Sequence, residues 1–146
     1  MRFPSEFESS GEEATRAVGR ELARELEAGD VVALSGPLGC GKTVFVRGLA
    51  EGLGGKSRDV ASPTFAILHE YDCAGRPGFV HLDLYRIPDE EKELREIGLP
   101  DVLDGKISAV EWPNRSAERL LRFRYRVSIA GPAAARRTIR IDRGKA

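Results

Sequence analysis

The chain has 146 residues with 23 basic and 23 acidic side chains, so its formal net charge is zero. Hydrophobic residues make up 41% and charged residues 32%, which is typical of one globular domain over residues 1–146 and excludes a disordered or fibrous protein. No apolar run approaches the roughly 18 residues of a membrane span, and the amino terminus has no apolar signal core, so we expect a cytoplasmic protein without membrane contact.

The amino-terminal third predicts a helix, a buried strand and a second helix. Residues 9–13, Ser-Ser-Gly-Glu-Glu, place a hydroxyl three positions before a carboxylate, the capping-box signature of a helix that then continues toward Gly29. The uninterrupted apolar run 31–34 predicts a strand that is covered on both faces. A second helix is expected over 42–53, because apolar positions again share one face and a Gly-Gly pair follows.

The middle of the chain predicts a hairpin, a short helix and another buried strand. Segments 65–71 and 79–85 alternate in character and flank a turn that contains glycine and proline, so we expect them to pair. A helix capped by Asp89 should reach about Ile97. The apolar run 107–110 indicates the next strand.

The carboxyl-terminal segment alternates apolar residues with arginines and turns at Gly131-Pro132, which predicts an antiparallel strand pair with one buried face. From residue 115 onward there are ten basic and two acidic residues, a local net charge of +8. Two interpretations of this basic tail stay open. It is either a face for an acidic partner or RNA, or the solvated side of a strand.

A glycine-rich loop joins the first predicted strand to the second helix. Residues 36–43 read Gly-Pro-Leu-Gly-Cys-Gly-Lys-Thr, the complete P-loop pattern for nucleotide phosphates. Its glycines permit a close backbone approach, while N–H groups and the positive end of the helix dipole attract phosphate. Lys42 is predicted to reach the β- and γ-phosphates, and the Thr43 hydroxyl to reach Mg²⁺. The loop residues expected at the nucleotide are Gly36, Leu38, Gly39, Cys40, Gly41, Lys42 and Thr43.

This order of elements predicts an α/β protein of the P-loop NTPase type. Strand, phosphate loop, helix, hairpin, helix, strand and hairpin favour a three-layer sandwich. Its sheet should be mixed, with a mainly parallel centre and added antiparallel hairpins. Ligands of such folds bind outside the carboxyl ends of the strands, so the remaining site residues are sought at that edge.

Two acids and a threonine are candidates to complete a metal site beside the loop. Glu111 directly follows an apolar strand and is the better geometric candidate, with Asp83 second; ordinary strand-end acids are the alternative. Thr64 lies in the long loop after the second helix, where nucleotide-sensing loops place a hydroxyl, but a strand-entry threonine is equally compatible with the pattern. Trp112 either stacks on another group or covers the core edge, and core cover is the default interpretation.

Several segments together resemble the bacterial TsaE (YjeE) family. They are the phosphate loop, Ser-Pro-Thr-Phe at 62–65, His-Leu-Asp-Leu-Tyr-Arg at 81–86, Glu-Leu-Arg-Glu-Ile-Gly-Leu at 93–99 and Val-Glu-Trp at 110–112. The resemblance implies a small Mg²⁺-dependent ATPase that supports formation of threonylcarbamoyladenosine in tRNA. Such a protein would act on a complex of TsaD with TsaB, without itself transferring the threonylcarbamoyl group.

The same resemblance implies roles for individual residues. Thr43 and Glu111 would hold Mg²⁺, Asp83 would act as an acid, and Thr64 would be a switch-like hydroxyl. The loop departs from the family at Cys40, where alanine is usual. The residues that the resemblance places near the nucleotide, beyond the loop, are Glu12 and Asn114.

Two other functions remain compatible with the residues. One is a nucleotide-gated module that assembles a complex without turnover. The other is a small-molecule kinase, although the sequence has no lid-like insertion that carries arginine. The pattern does not indicate the partner interface or a direct contact between the basic tail and tRNA.

Overall fold

The computed structural model describes residues 1–37, 39–56, 68–73, 77–131 and 136–144. Its strands all belong to one sheet, and its helices pack against that sheet. The strands are β1 (Ser5–Ser9), β2 (Val31–Ser35), β3 (Leu68–Tyr71), β4 (Phe79–Asp83), β5 (Ile107–Glu111), β6 (Tyr125–Ala130) and β7 (Arg137–Arg143). The helices are α1 (Glu12–Ala23), α2 (Lys42–Gly52), α3 (Glu91–Glu96) and α4 (Arg115–Leu120), with a 3-10 turn at Asp101–Leu103.

The sheet is mixed and has the strand order β1-β7-β6-β2-β5-β4-β3. Its four central strands, β6, β2, β5 and β4, are mutually parallel. The antiparallel pairs lie outside this centre: β3 joins β4 on one side, while β7 and β1 extend the other. The predicted fold class is therefore confirmed, with both hairpins built into the same sheet.

Helices cover both faces of the central strands. Alternate residues of β2 point to opposite apolar clusters, with Val32 in the cluster under α1 and α2 and Val31 in the cluster under α3 and α4. The two long helices, α1 and α2, pack closely at Gly48. A β-carbon at this position would lie 2.2 Å from the carbonyl oxygen of Arg16. This contact leaves no room for a larger residue at position 48.

The first helix begins and ends differently from the sequence-based expectation. Gly11 occupies the position before the helix and offers no side-chain cap. The Ser9 hydroxyl donates instead to the Gly11 carbonyl and lies 2.7 Å from the Thr15 hydroxyl, because Ser9 is the last residue of β1 and is buried. The helix ends at Ala23, well before Gly29, so the predicted capping box and helix end are wrong.

Asp89 was expected to cap the third helix but contacts another one. That helix starts at Glu91 without a side-chain cap. The Asp89 carboxylate accepts a 2.8 Å hydrogen bond from the Ser116 N–H, in the first turn of α4. The prediction failed because α4, which the sequence pattern did not indicate, packs beside α3 and supplies unpaired N–H groups of its own.

Most arginines of the basic tail are exposed, on α4 and its flanking segments as well as on β6 and β7. Along β6, buried and exposed residues alternate strictly. Arg126 forms a two-bond ion pair with Glu118 at 2.8 and 2.6 Å, and Arg140 pairs similarly with Asp142. These pairs offset part of the local positive charge, which favours the solvated-strand interpretation.

Candidate functional site

An open cleft of about 400 Å³ lies where the carboxyl ends of β4 and β5 face the start of α2. It forms at the sheet edge where ligands bind in α/β folds. Seven residues predicted from the sequence line this cleft: Glu12, Gly39, Gly41, Lys42, Thr43, Asp83 and Glu111. The cleft wall also includes Val44, Trp112 and Arg137.

The phosphate loop has a backbone that requires glycine. Gly41, immediately before α2, has φ of 105°, a conformation that side chains with a β-carbon rarely adopt. A β-carbon there would also lie 2.6 Å from Nη1 of Arg137. Helix α2 begins at Lys42, so its unpaired N–H groups and positive dipole end face the cleft. The loop therefore has the shape and polarity to accept an anion.

Lys42 is held at the base of the cleft by oxygen atoms and an aromatic ring. Its side chain donates to the carbonyl oxygens of Gly36 and Pro37 at 2.6 and 3.1 Å, and the residue is only 5% exposed. The ammonium also lies 4.3 Å from the ring centroid of Trp112. A buried cation fixed in this way adds positive charge to the site in a defined position.

Trp112 stacks over another group, which was one of its two sequence-based interpretations; the group is the Lys42 ammonium. Its φ of 55° lies in the left-handed region, and its N–H donates to the Leu34 carbonyl at 3.2 Å. This turn after Glu111 directs the indole over Lys42 and leaves it 4.9 Å from the ring of Tyr85, which is 53% exposed. Trp112 thus covers the lysine, in addition to any contribution to the core edge.

Asp83 and Glu111 are register partners on neighbouring strands at the cleft. Burial raises the pKa of Asp83, and the nearby charge of Glu111 adds to that shift, although the Tyr85 N–H donates to Asp83 at 2.9 Å and opposes it. Glu111 is 4% exposed, and its Oε2 lies 2.5 Å from Nε2 of His81. A bound cation would stabilise the ionised forms of two adjacent carboxylates in this partly buried site.

The oxygen-bearing side chains of the cleft suit a Mg²⁺ ion that is also bound by phosphate oxygens. Within the described ranges, no three His, Cys, Asp or Glu side chains form a group able to hold a metal. Mg²⁺ commonly takes one or two carboxylates and fills its other positions with phosphate oxygens and water. Glu111 and the Thr43 hydroxyl, with Asp83 beside them, line one cleft and match that requirement.

Arg137 is a cleft residue that sequence reasoning missed. It begins β7, is 7% exposed, and brings its guanidinium against Gly41 of the phosphate loop. The signal was present in the alternation of the tail, because Arg137 shares its strand face with the buried Ile139 and Ile141. An arginine on an otherwise apolar face calls for a functional explanation.

The other predicted residues do not line the cleft or lie outside the described residues. Cys40 is buried beneath the loop, where a β-carbon on Gly36 would come within 2.7 Å of its sulfur. Asn114 caps α4 by accepting a hydrogen bond from the Ala117 N–H at 2.8 Å. The remaining two, Leu38 and Thr64, fall outside the part of the chain that the structure describes.

Comparisons with known proteins agree on one family. The family model described as threonylcarbamoyl adenosine biosynthesis protein TsaE matches residues 9–139. A protein named tRNA threonylcarbamoyladenosine biosynthesis protein TsaE from Streptomyces coelicolor is 43% identical over 78% of this chain and 77% of its own length. The protein of the same name from Bacillus subtilis is 41% identical over 80% of this chain and 72% of its own length. The crystal structure of Bacillus subtilis YdiB superposes with a TM-score of 0.71 at 30% identity, covering 99% of this chain and 88% of YdiB.

Proposed function

The chain belongs to the TsaE family, which acts in the biosynthesis of threonylcarbamoyladenosine in tRNA, and from this premise we propose that it binds and hydrolyses ATP with Mg²⁺. The observation that carries the proposal is the convergence of Lys42, Thr43 and Glu111 on one cleft at the start of α2. The cleft supplies positive charge for the phosphates and oxygen ligands for the metal.

The residues of the cleft divide the work of binding. The N–H groups at the start of α2 hold the phosphates, and Lys42 turns from its carbonyl partners toward the β- and γ-phosphate oxygens. Thr43 and Glu111 hold Mg²⁺, with Asp83 beside them. The metal, when bound, neutralises charge on the phosphate oxygens. Adenine is proposed as the base on the family resemblance alone.

Arg137, whose guanidinium lies against Gly41 of the phosphate loop, is proposed to contact the phosphates. Replacement of Arg137 by methionine should weaken ATP binding about tenfold, because a hydrogen bond to a charged group contributes about 1.5 kcal/mol or more. Methionine keeps much of the apolar length of the side chain. Binding can be followed by calorimetry or by the emission of Trp112, which is the single tryptophan of the chain.

Arg136 provides a matched control for this prediction. It precedes Arg137 in sequence, but its side chain is 74% exposed and lies 3.8 Å from Glu8. Arg136→Met should therefore leave ATP affinity unchanged. An equal loss in both variants would indicate a general charge effect, and no loss in Arg137→Met would remove the residue from the site.

We further propose that hydrolysis serves a complex of TsaD with TsaB. The chain alone should hydrolyse ATP slowly, and addition of purified TsaB and TsaD should accelerate hydrolysis. The measurement is phosphate release at saturating ATP, with the partners alone as the blank and Lys42→Ala as the inactive control. If the partners do not stimulate hydrolysis by the wild-type chain, this part of the proposal is wrong even if ATP still binds.

A further inference from the structure

His81 is a fully buried histidine beside the cleft whose contacts single it out. It lies in the middle of β4 at 0% exposure, opposite Ala109 of β5. Its Nε2 is 2.5 Å from Oε2 of Glu111, which is itself only 4% exposed. A fully buried histidine is therefore in direct contact with the carboxylate proposed to hold the metal.

The contact determines which nitrogen of His81 donates. An ionised carboxylate can only accept hydrogen bonds, so a carboxylate at Glu111 requires the proton on Nε2. Nδ1 is buried and has no hydrogen-bond partner among the described residues. Nε2 is therefore the ring nitrogen that donates to Glu111.

The same contact gives the two carboxylate oxygens of Glu111 different surroundings. Oε2 accepts from His81, so Oε1 is the oxygen available to a ligand in the cleft. A long carboxylate side chain would otherwise sample several rotamers, and losing that freedom on metal binding would weaken affinity. Carboxylate ligands of metals are commonly oriented by such partners, whose loss weakens metal affinity or activity by 10–100-fold.

We propose that His81 is a positioning residue for the metal site, holding Glu111 through Nε2 so that its other oxygen faces the cation. This inference rests on the proposed function, since it assumes that Glu111 binds Mg²⁺. A structural role alone would predict that any buried residue of similar size could replace His81. The positioning role requires a donor at the place of Nε2.

Glutamine and asparagine distinguish these two roles. A glutamine amide nitrogen reaches the place of Nε2, whereas that of asparagine reaches only the place of Nδ1. His81→Asn should lower Mn²⁺ affinity in the presence of ATP about tenfold, at the lower end of the range for such partners. His81→Gln should recover most of that affinity. Mn²⁺ binding is measured by electron paramagnetic resonance, and ATP binding in excess chelator is measured alongside.

The chelator measurement separates positioning from folding. Metal-free ATP affinity should be unchanged in both variants, because His81 does not line the phosphate loop. Equal Mn²⁺ affinity in wild type and His81→Asn, or equal losses in His81→Asn and His81→Gln, would overturn the inference alone. Failure of the wild type to bind ATP under either condition would overturn the proposed function and this inference with it.

A measurement on the wild type keeps the inference testable if the variants do not fold. The chain has two histidines, so ¹⁵N spectra of the wild type and of His69→Gln assign the His81 signals. The expected spectrum shows a proton on Nε2, and the Nε2 signal moves when Mg²⁺ is added to the ATP complex. A proton on Nδ1 alone would contradict the proposed contact.

Discussion

Replacing Lys42 by alanine is expected to weaken ATP binding by about 1.5–3 kcal/mol, or roughly one to two orders of magnitude in dissociation constant. The ammonium is nearly dry and lies among the Gly36 and Pro37 carbonyls and the Trp112 ring. On ATP binding, charged phosphate oxygens would replace these neutral partners and accept stronger hydrogen bonds from the ammonium. Calorimetry with Mg²⁺-ATP measures the loss directly.

The change at Lys42 has a spectroscopic counterpart and a matched control. Because the ammonium lies 4.3 Å from the Trp112 ring, ATP should alter tryptophan emission in the wild type and do so much less in Lys42→Ala. Lys106 pairs with Glu70 and does not line the cleft, so Lys106→Ala should behave as wild type. Unchanged ATP affinity in Lys42→Ala would contradict the role proposed for the lysine.

Replacing Glu111 by glutamine is expected to lower ATP hydrolysis by more than about 100-fold. Loss of a partner of a metal ligand alone typically costs 10–100-fold, and this change removes the charge of the ligand itself. The glutamine carbonyl can still accept from His81 Nε2, so the buried contact and the fold should persist. Phosphate release and thermal melting measured together test both halves of this expectation.

Glu118 supplies the control carboxylate, because it pairs with Arg126 away from the cleft. Glu118→Gln should hydrolyse ATP at the wild-type rate. Hydrolysis by Glu111→Gln at more than a tenth of the wild-type rate would show that the acid is not a metal ligand. If cells that carry Glu111→Gln keep the tRNA modification while hydrolysis is lost, the nucleotide-gated assembly module would replace turnover as the function.

The phosphate loop could be predicted because its chemistry is local. The pattern 36–43, the apolar strand before it and the helix after it are contiguous, and the structure has all three in place, with the loop described except at position 38. Asp83 and Glu111 could also be predicted as candidates at the carboxyl edge of the sheet. Their position as register partners depends on the strand order, which places β4 next to β5.

Elements stabilised by distant partners were missed. Strand β1 carries Glu6 and Glu8 on an exposed face and pairs only with β7, at the other end of the chain. Its sequence is too short and polar to indicate a strand by itself. The cap expected at Ser9 was wrong because Ser9 ends β1, where the pairing with β7 buries it. The cap expected at Asp89 was wrong because its carboxylate accepts a hydrogen bond from the Ser116 N–H of α4.

The phosphate-loop pattern, the strand-end acids and the α/β class could be predicted from the sequence, because these depend on residues adjacent along the chain or on a single periodicity. The contacts of Arg137 with the loop, of Trp112 with Lys42 and of His81 with Glu111 could not, because they exist only in the folded chain. These contacts join residues far apart in sequence. They form because assembly of the sheet and its helices buries polar side chains, which then require hydrogen-bond or ionic partners on neighbouring elements.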